Sequence, residues 1–213
     1  MDIWAPVQSA AAIAAAGIAA VAAWQARTTA TKMTAIESQR RKSELSPRLR
    51  VTCEPFNPGS DGVLRLRVAL IGPPGLDRLD RLTVAVRNDH HRRGEGEFRQ
   101  HMDGPTQEEI KQHVWGPYRF TPHTGPDDAQ ADGMGRQVVY NKSLPLGEEL
   151  PYQLEHTQPG HWMRSLTQQS WLRERGPVIR LAFNAEHQDH GSWYLPCEID
   201  TAAMPVTVQV PQQ

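Results

Sequence analysis

The stretch Val63-Leu64-Arg65-Leu66-Arg67-Val68-Ala69-Leu70 carries the clearest structural signal in the chain. Apolar side chains stand at every second position from Leu64 to Leu70, and two arginines stand between them. Because successive side chains of a β-strand point to opposite faces, this alternation predicts a strand with one buried and one solvated face. Such half-buried strands are typical of antiparallel sheets.

The same two-residue period recurs along the chain after Pro47. It predicts further strands at residues 49–53, 82–86, 113–120, 136–141, 150–156, 179–185 and 192–199. Residues 206–210 are read either as an edge strand or as part of a tail. Dense turn signals, rich in Gly, Pro, Asn and Asp, separate several of these segments.

One segment between the predicted strands has a helical character. Residues 161–175 carry Trp, Met and Leu at helical spacing, and Gly176-Pro177 follows them as a stop signal. We therefore predict a mainly β fold, an antiparallel β-sandwich of the immunoglobulin type with one short helical insertion. A small barrel is the alternative.

The beginning of the chain differs from the rest. Residues 3–26 contain no charged side chain, and half of them are alanine. About 20 apolar residues are enough for a helix to cross a bilayer. Trp4 and Trp24 would lie about 30 Å apart along such a helix, as interfacial aromatic anchors do. The stretch predicts a transmembrane anchor at residues 1–26, with a cleaved signal peptide and a buried soluble helix as alternatives.

Positive charge follows the predicted anchor. Residues 27–50 carry seven Lys and Arg against two Glu, beginning with Arg27, whereas no Lys or Arg precedes the anchor. Lys and Arg stay on the cytoplasmic side of a membrane. The prediction is a single-pass protein of the bacterial inner (plasma) membrane, bound to lipid through this helix, with its N-terminus outside and its body cytoplasmic. Small residues at four-residue spacing leave a homo-oligomer as an open alternative: Ala12, Ala16 and Ala20.

The predicted organisation has four parts. They are an anchor at 1–26, a basic juxtamembrane helix or linker at 27–46, the β-sandwich at 47–200 and a tail or edge strand at 201–213. Pro47 supports the second boundary because the residue before a proline is disfavoured in a helix. From residue 51 onward the chain holds sixteen Lys and Arg against twenty-one Asp and Glu. This acidic balance argues against a nucleic-acid surface.

Three short motifs carry a resemblance to a known group of proteins. They are Ser46-Pro47-Arg48-Leu49-Arg50-Val51, Trp115-Gly116-Pro117-Tyr118-Arg119-Phe120 and Trp193-Tyr194-Leu195-Pro196. Together with the anchor, they resemble small uncharacterised single-pass membrane proteins of high-GC actinobacteria. The resemblance implies a membrane-anchored chain, and it implies no activity and no catalytic residue.

His187 and His190 stand at a spacing that suits metal ligation, next to Asp189. A zinc site needs three or four ligands, and the sequence offers no evident third ligand beside these two. The histidines also fall between two predicted strands, where a polar turn is expected. We treat them as weak candidates for a metal site and expect no cofactor.

Cysteine and tryptophan are the other residues with a candidate role. Cys53 and Cys197 form no Cys-x-x-Cys motif and are expected as free, buried thiols in a cytoplasmic body. A disulfide between them is the alternative for a body outside the cell. Four tryptophans are expected to pack in the core or against the helical insertion, with a ligand-facing cluster as the alternative: Trp115, Trp162, Trp171 and Trp193.

No catalytic motif stands out in the chain. A nucleophile elbow, a phosphate-binding loop and a dinucleotide fingerprint are all missing. We therefore expect a membrane-anchored cytoplasmic binding or interaction module with a protein partner and an unknown ligand, and not an enzyme. The alternatives are a membrane-perturbing effector, whose transmembrane helix oligomerises when the body senses a signal, and a hydrolase or metal enzyme without a recognisable motif.

Overall fold

A computed structural model describes residues 24, 27, 29–34, 36–57, 62–89 and 104–211. The chain divides into two compact units, residues 1–44 and residues 45–213. In the first unit, every described residue is helical and exposed.

The predicted anchor falls almost wholly outside the described residues. Of the span at 3–26 only Trp24 is described, and Trp4 is not. Trp24 and Arg27 are both helical and exposed. In the described part of the chain, no helix combines the length and the apolar character needed to cross a membrane. The anchor therefore stays a prediction.

The second unit consists mainly of strands. In chain order, its elements are β1 (Arg48–Pro55), β2 (Val63–Gly72), β3 (Arg78–Leu79), β4 (Arg81–Val86), α1 (Gln107–Gln112), β5 (Tyr118–Phe120), β6 (Gln137–Tyr140), β7 (Leu144–Pro145), β8 (Glu149–His156), α2 (Gln168–Arg175), β9 (Val178–His187), β10 (Gly191–Asp200), a 3-10 turn (Thr201–Ala203) and β11 (Val206–Val210).

Two larger sheets build this unit. One has the strand order β11-β1-β2-β8-β5, the other has the order β10-β9-β4-β6, and β3 and β7 form a small pair. Every strand pairing in the three sheets is antiparallel. The prediction of a mainly β, antiparallel fold is confirmed, and the arrangement fits a β-sandwich. Residues 206–210 form a strand at the edge of the five-stranded sheet.

The alternation in β2 gives the strand one buried and one partly exposed face, as expected. Its alternating apolar residues are buried: Leu64, Leu66, Val68 and Leu70. They join inward-facing residues of the second sheet, such as Phe183 of β9, in one hydrophobic core. Arg67, on the other face, donates a 2.7 Å hydrogen bond to Glu54 of the neighbouring β1. The apolar set is buried and the arginines stay partly exposed because the side-chain period of a strand is two.

A helix precedes the strand predicted at 113–120. Only β5 (Tyr118–Phe120) is a strand there, and α1 (Gln107–Gln112) comes before it. Thr106 and Glu109 form a capping box: the Glu109 N–H donates to Thr106 Oγ1 at 3.1 Å, and the Thr106 N–H donates to Glu109 Oε2 at 2.7 Å. These bonds satisfy N–H groups that a helix start leaves open, which explains why the helix begins at this point.

The helix predicted at 161–175 is shorter than expected. It covers only α2 (Gln168–Arg175), and turns occupy much of the segment before it. Thr167 starts α2 because its Oγ1 accepts a hydrogen bond from the Ser170 N–H at 3.2 Å. Gly176 ends it with a φ of 71°, a conformation that favours glycine. The sequence predicted one helical insertion, whereas the described residues of this unit contain two short α-helices, α1 and α2.

Candidate functional site

A second, smaller hydrophobic core holds the two helices together. It consists of Ile110 from α1, Trp115 from the segment after α1, and Trp171 from α2. Trp171 is fully buried, and its ring centroid lies 6.1 Å from that of Trp115. The guanidinium of Arg175 lies 4.0 Å from the centroid of the Trp171 ring, at cation–π distance. These contacts give the helical region a packed interior of its own.

Thr157 connects this small core to the strands. It follows β8 directly and is 1% exposed. Its hydroxyl donates to the Gly116 carbonyl at 2.6 Å and accepts a hydrogen bond from Trp171 Nε1 at 2.8 Å. Its backbone N–H donates to the Pro117 carbonyl at 3.0 Å. One buried side chain therefore links three segments that are distant in sequence.

Asn88 fixes the backbone around His113. Its Nδ2 donates to the His113 carbonyl at 2.9 Å, and its Oδ1 accepts from the Trp115 N–H at 3.0 Å. The two bonds hold the backbone on both sides of Val114. The backbone that carries the His113 side chain is thus held by Asn88, which stands two residues after β4 and 25 residues before His113.

A cavity of about 370 Å³ lies beside this fixed backbone. Its wall includes side chains of α1, of the segment after β8, and of β5: Glu109, Gln112, Gln158, His161, Trp162 and Arg119. His113 also lines it. Sites for small ligands are commonly concave and about 300–1,000 Å³ in volume, so this cavity lies at the lower end of that range.

His113 is the most unusual group in the cavity wall. The residue is 8% exposed, and its Nε2 is shielded from solvent and has no hydrogen-bond partner. The ring centroids of Trp115, Trp162 and Trp171 lie 5.0, 5.4 and 5.5 Å from that of His113. Burial, together with the positive charges of Arg175 and Arg119, lowers the pKa of His113 to about 4. The imidazole is therefore neutral at neutral pH.

Charges of opposite sign occupy two places in the wall. Arg119 on β5 binds the Glu155 carboxylate through Nε at 2.9 Å and through Nη2 at 2.7 Å. Hydrogen bonds from Thr106 lower the pKa of Glu109, so its carboxylate is charged. Glu109 Oε1 lies 4.0 Å from His161 Nε2. A ligand in the cavity therefore meets a guanidinium on one element and a carboxylate on another.

Trp162 owes its position to the glycine two residues before it. A Cβ at Gly160 would lie 2.6 Å from the indole ring of Trp162, closer than any real contact allows. The Trp162 ring stands edge-on to His161, with centroids 5.0 Å apart and an interplanar angle of 83°. Glycine at 160 thus lets the indole lie against the chain and form part of the cavity wall.

The histidine pair predicted as a weak metal candidate is a stacked pair at the β9–β10 turn. The rings of His187 and His190 are 4.5 Å apart with an interplanar angle of 24°. The Asp189 N–H donates to His187 Nδ1 at 3.1 Å, so this nitrogen is already an acceptor. Across the described part of the chain, no group of three or more His, Cys, Asp or Glu side chains converges on one point. A metal role of the pair stays a prediction.

Both cysteines are free and buried in the main core. Cys53 lies on β1 and Cys197 on β10, which belong to different sheets. Burial raises the pKa of each thiol to about 12. Neither side chain is therefore a thiolate at neutral pH. The thiolate is the form of cysteine that attacks electrophiles and binds metals.

The tryptophans divide between the two roles that the sequence left open. Trp193 packs in the main core, and Trp115 and Trp171 pack in the small core. Trp162 lines the cavity.

His113 carried no local sequence signal for a role in the site, because its burial depends on residues that are distant in sequence.

The cavity and its buried histidine are thus the best-defined candidate site in the described residues. The resemblance to single-pass proteins of actinobacteria stays a prediction. Comparison with protein-family models, with curated proteins and with solved structures finds no significant match to this chain.

Proposed function

We propose that this chain is a membrane-held binding module that takes a small ligand in the cavity beside His113. The observation that carries the proposal is the unpartnered Nε2 of a residue that is only 8% exposed and lines a cavity of about 370 Å³. A buried polar atom without a partner costs about 1–3 kcal/mol. A ligand group that bonds to this nitrogen recovers part of the cost.

The rest of the body supports a binding role. We take the body to be an immunoglobulin-like sandwich, whose two sheets form a rigid platform for the loops. Most of the cavity wall comes from connecting segments and from α1, and Thr157 and Asn88 tie these segments to the platform. Recognition residues commonly lie on loops that a rigid scaffold positions.

The membrane part of the proposal rests on residues 3–26 and on the positive charge that follows them. A helix in the bilayer holds the body close to its neighbours at the inner face and raises its effective concentration there. The orientation follows from the seven Lys and Arg at residues 27–50.

Location is tested with reporters fused after Gln213 in a bacterial host. We expect the full-length chain in the membrane pellet after ultracentrifugation. A green fluorescent protein fusion should be fluorescent, and an alkaline phosphatase fusion should be inactive, because the body is expected in the cytoplasm. A chain that stays in the supernatant without detergent would refute the anchor. An active phosphatase fusion would reverse the orientation.

Binding is tested on the full-length protein in detergent with a set of fragments of about ten to fifteen non-hydrogen atoms. We expect ligand-observed NMR to detect binders whose affinity falls at least about tenfold in Gln158→Trp, because an indole at this position fills part of the cavity. The matched control is Gln169→Trp, which places the same side chain on an exposed position of α2 that does not line the cavity. Binders unaffected by Gln158→Trp, or a complete lack of binders, would refute the proposed site.

A further inference from the structure

We infer that the cavity beside His113 takes an uncharged, planar molecule that carries an amide-like pair of hydrogen-bond donor and acceptor groups. This inference rests on the proposed function and adds the chemical class of the ligand. Three features of the wall lead to it: the placement of its charges, the shape of its apolar parts and the bonding capacity of its polar atoms.

The placement of charges favours a neutral ligand. The positive charges of Arg119 and Arg175 act on His113 and would repel a cation at that end of the cavity. The carboxylate of Glu109 would repel an anion on the side of α1. Arg119 already binds Glu155, and Glu109 already binds Thr106, so neither is an unpaired charge waiting for a counter-ion. A neutral molecule avoids both repulsions and loses less hydration on entering.

The apolar part of the wall favours a flat molecule. Trp162 and His161 line the cavity with two rings nearly perpendicular to each other. Val114 and Met134 add aliphatic surface. Aromatic side chains bind planar rings through stacked and edge-to-face contacts, which a flat ligand can make with both rings at once.

The polar atoms favour an amide-like group. A neutral imidazole carries one donor and one acceptor nitrogen, and the tautomer decides which role Nε2 takes. A carboxamide offers an N–H and a C=O side by side, so it satisfies either tautomer of His113. Gln112 and Gln158 line the same cavity, and their side-chain amides each provide both a donor and an acceptor.

Access to His113 involves Trp162. Nε2 of His113 is shielded from solvent, and the Trp162 ring stands edge-on to the imidazole at a centroid distance of 5.4 Å. Trp162 lines the cavity and packs against His113, so we expect its indole to move to admit a ligand to Nε2. Its binding should change both the environment of that indole and the nitrogen chemical shifts of His113.

Three probes of nearly the same shape separate the charge states: neutral benzamide, the benzoate anion and the benzamidinium cation. With the full-length protein at neutral pH, we expect benzamide to bind at least about tenfold more tightly than either charged probe. We also expect benzamide to change the imidazole ¹⁵N shifts of His113 and the indole fluorescence of Trp162. The fluorescence is read by difference against Trp162→Phe.

Two variants test the hydrogen bond itself. His113→Phe keeps an aromatic ring but removes the bonding nitrogen, and it should weaken benzamide binding about five- to tenfold. His113→Gln restores a donor and an acceptor and should recover part of the affinity. If His113→Phe does not fold, the ¹⁵N shifts of the unchanged protein still decide, because a bond to Nε2 must move them.

The outcomes separate the ligand class from the proposed function. Equal or tighter binding of benzoate or benzamidinium at the cavity would overturn the uncharged class and leave the binding site standing. If only non-planar fragments bind there, the planar shape of the ligand is wrong and the binding site still stands. Benzamide binding without a shift at His113 would overturn the assigned hydrogen bond. If neither the three probes nor any fragment binds in the cavity, the proposed function itself is wrong.

Discussion

Replacing Trp171 with alanine is expected to lower the free energy of unfolding by about 3–5 kcal/mol. The side chain is 0% exposed and packs against Ile110 and Trp115 in the small core. Its removal leaves a large cavity, and it also takes the donor Nε1 away from the hydroxyl of Thr157. Urea unfolding of the full-length protein in detergent, followed by circular dichroism of the β-sheets, measures the change.

Trp171→Phe is the matched control for this substitution. It keeps a ring in the small core and removes mainly the hydrogen bond to Thr157 Oγ1, so a smaller loss of about 1–2 kcal/mol is expected. If Trp171→Ala costs less than about 1 kcal/mol, the small core does not contribute to the stability of the sheets. In that case the helical region would unfold separately from them, and the cavity would have no rigid support.

Acid is expected to destabilise the protein through His113, in a pH range set by its two pKa values. The ordinary pKa of histidine is about 6.5, and burial lowers that of His113 to about 4 in the folded protein. Between these values the unfolded chain binds a proton and the folded protein does not. The contribution of neutral His113 to stability is therefore fully present above about pH 6.5. It is lost as the pH drops towards 4, which lowers the free energy of unfolding by about 3 kcal/mol in total.

The groups that face His113 define the control for this experiment. Arg175 and Arg119 oppose its protonation, and the cavity wall also holds Glu109 and His161. In His113→Gln the titrating imidazole is gone, so the slope of unfolding free energy against pH should flatten between about 6.5 and 4.5. Carboxylates such as Glu109, whose pKa is lowered, lose their contribution only at lower pH. An equal slope in the variant and the unchanged protein would show that His113 does not titrate as proposed.

The two effects share a physical origin in the packing of the small core. Trp171 and Trp115 pack against His113 and do not line the cavity, and their rings exclude water that would otherwise stabilise a charged imidazole. Trp171→Ala should therefore also raise the pKa of His113 towards its ordinary value. Stability and the protonation state of the candidate site depend on the same contacts.

Strand positions were predictable from short windows of sequence. In β2 and β9, apolar residues stand at every second position, and the structure buries them. A signal for α1 was also present, because Thr106-x-x-Glu109 is the pattern of a capping box. The strand predicted at 113–120 was wrong for residues 113–117, where bonds from Asn88 hold the backbone in a different path.

The candidate site was predictable only in part. The sequence marked Trp115, Trp162 and Trp171 as a set with either a packing or a ligand-facing role, and the structure divides that set. It singled out His187 and His190 for their spacing, and it gave no special place to His113. Spacing along the chain marks ligands that share one turn or helix, whereas the environment of His113 is assembled from segments far apart in sequence.

Local alternation was enough to predict the strands, because the side chains of a strand return to the same face every two residues. Burial therefore follows directly from position in the sequence. The cavity depended on the tertiary structure. Its wall combines α1, β5 and the segment after β8, which the bonds of Thr157 and Asn88 bring together. The same assembly buries His113 and lowers its pKa, because desolvation depends on all the surrounding atoms and not on neighbours in the chain.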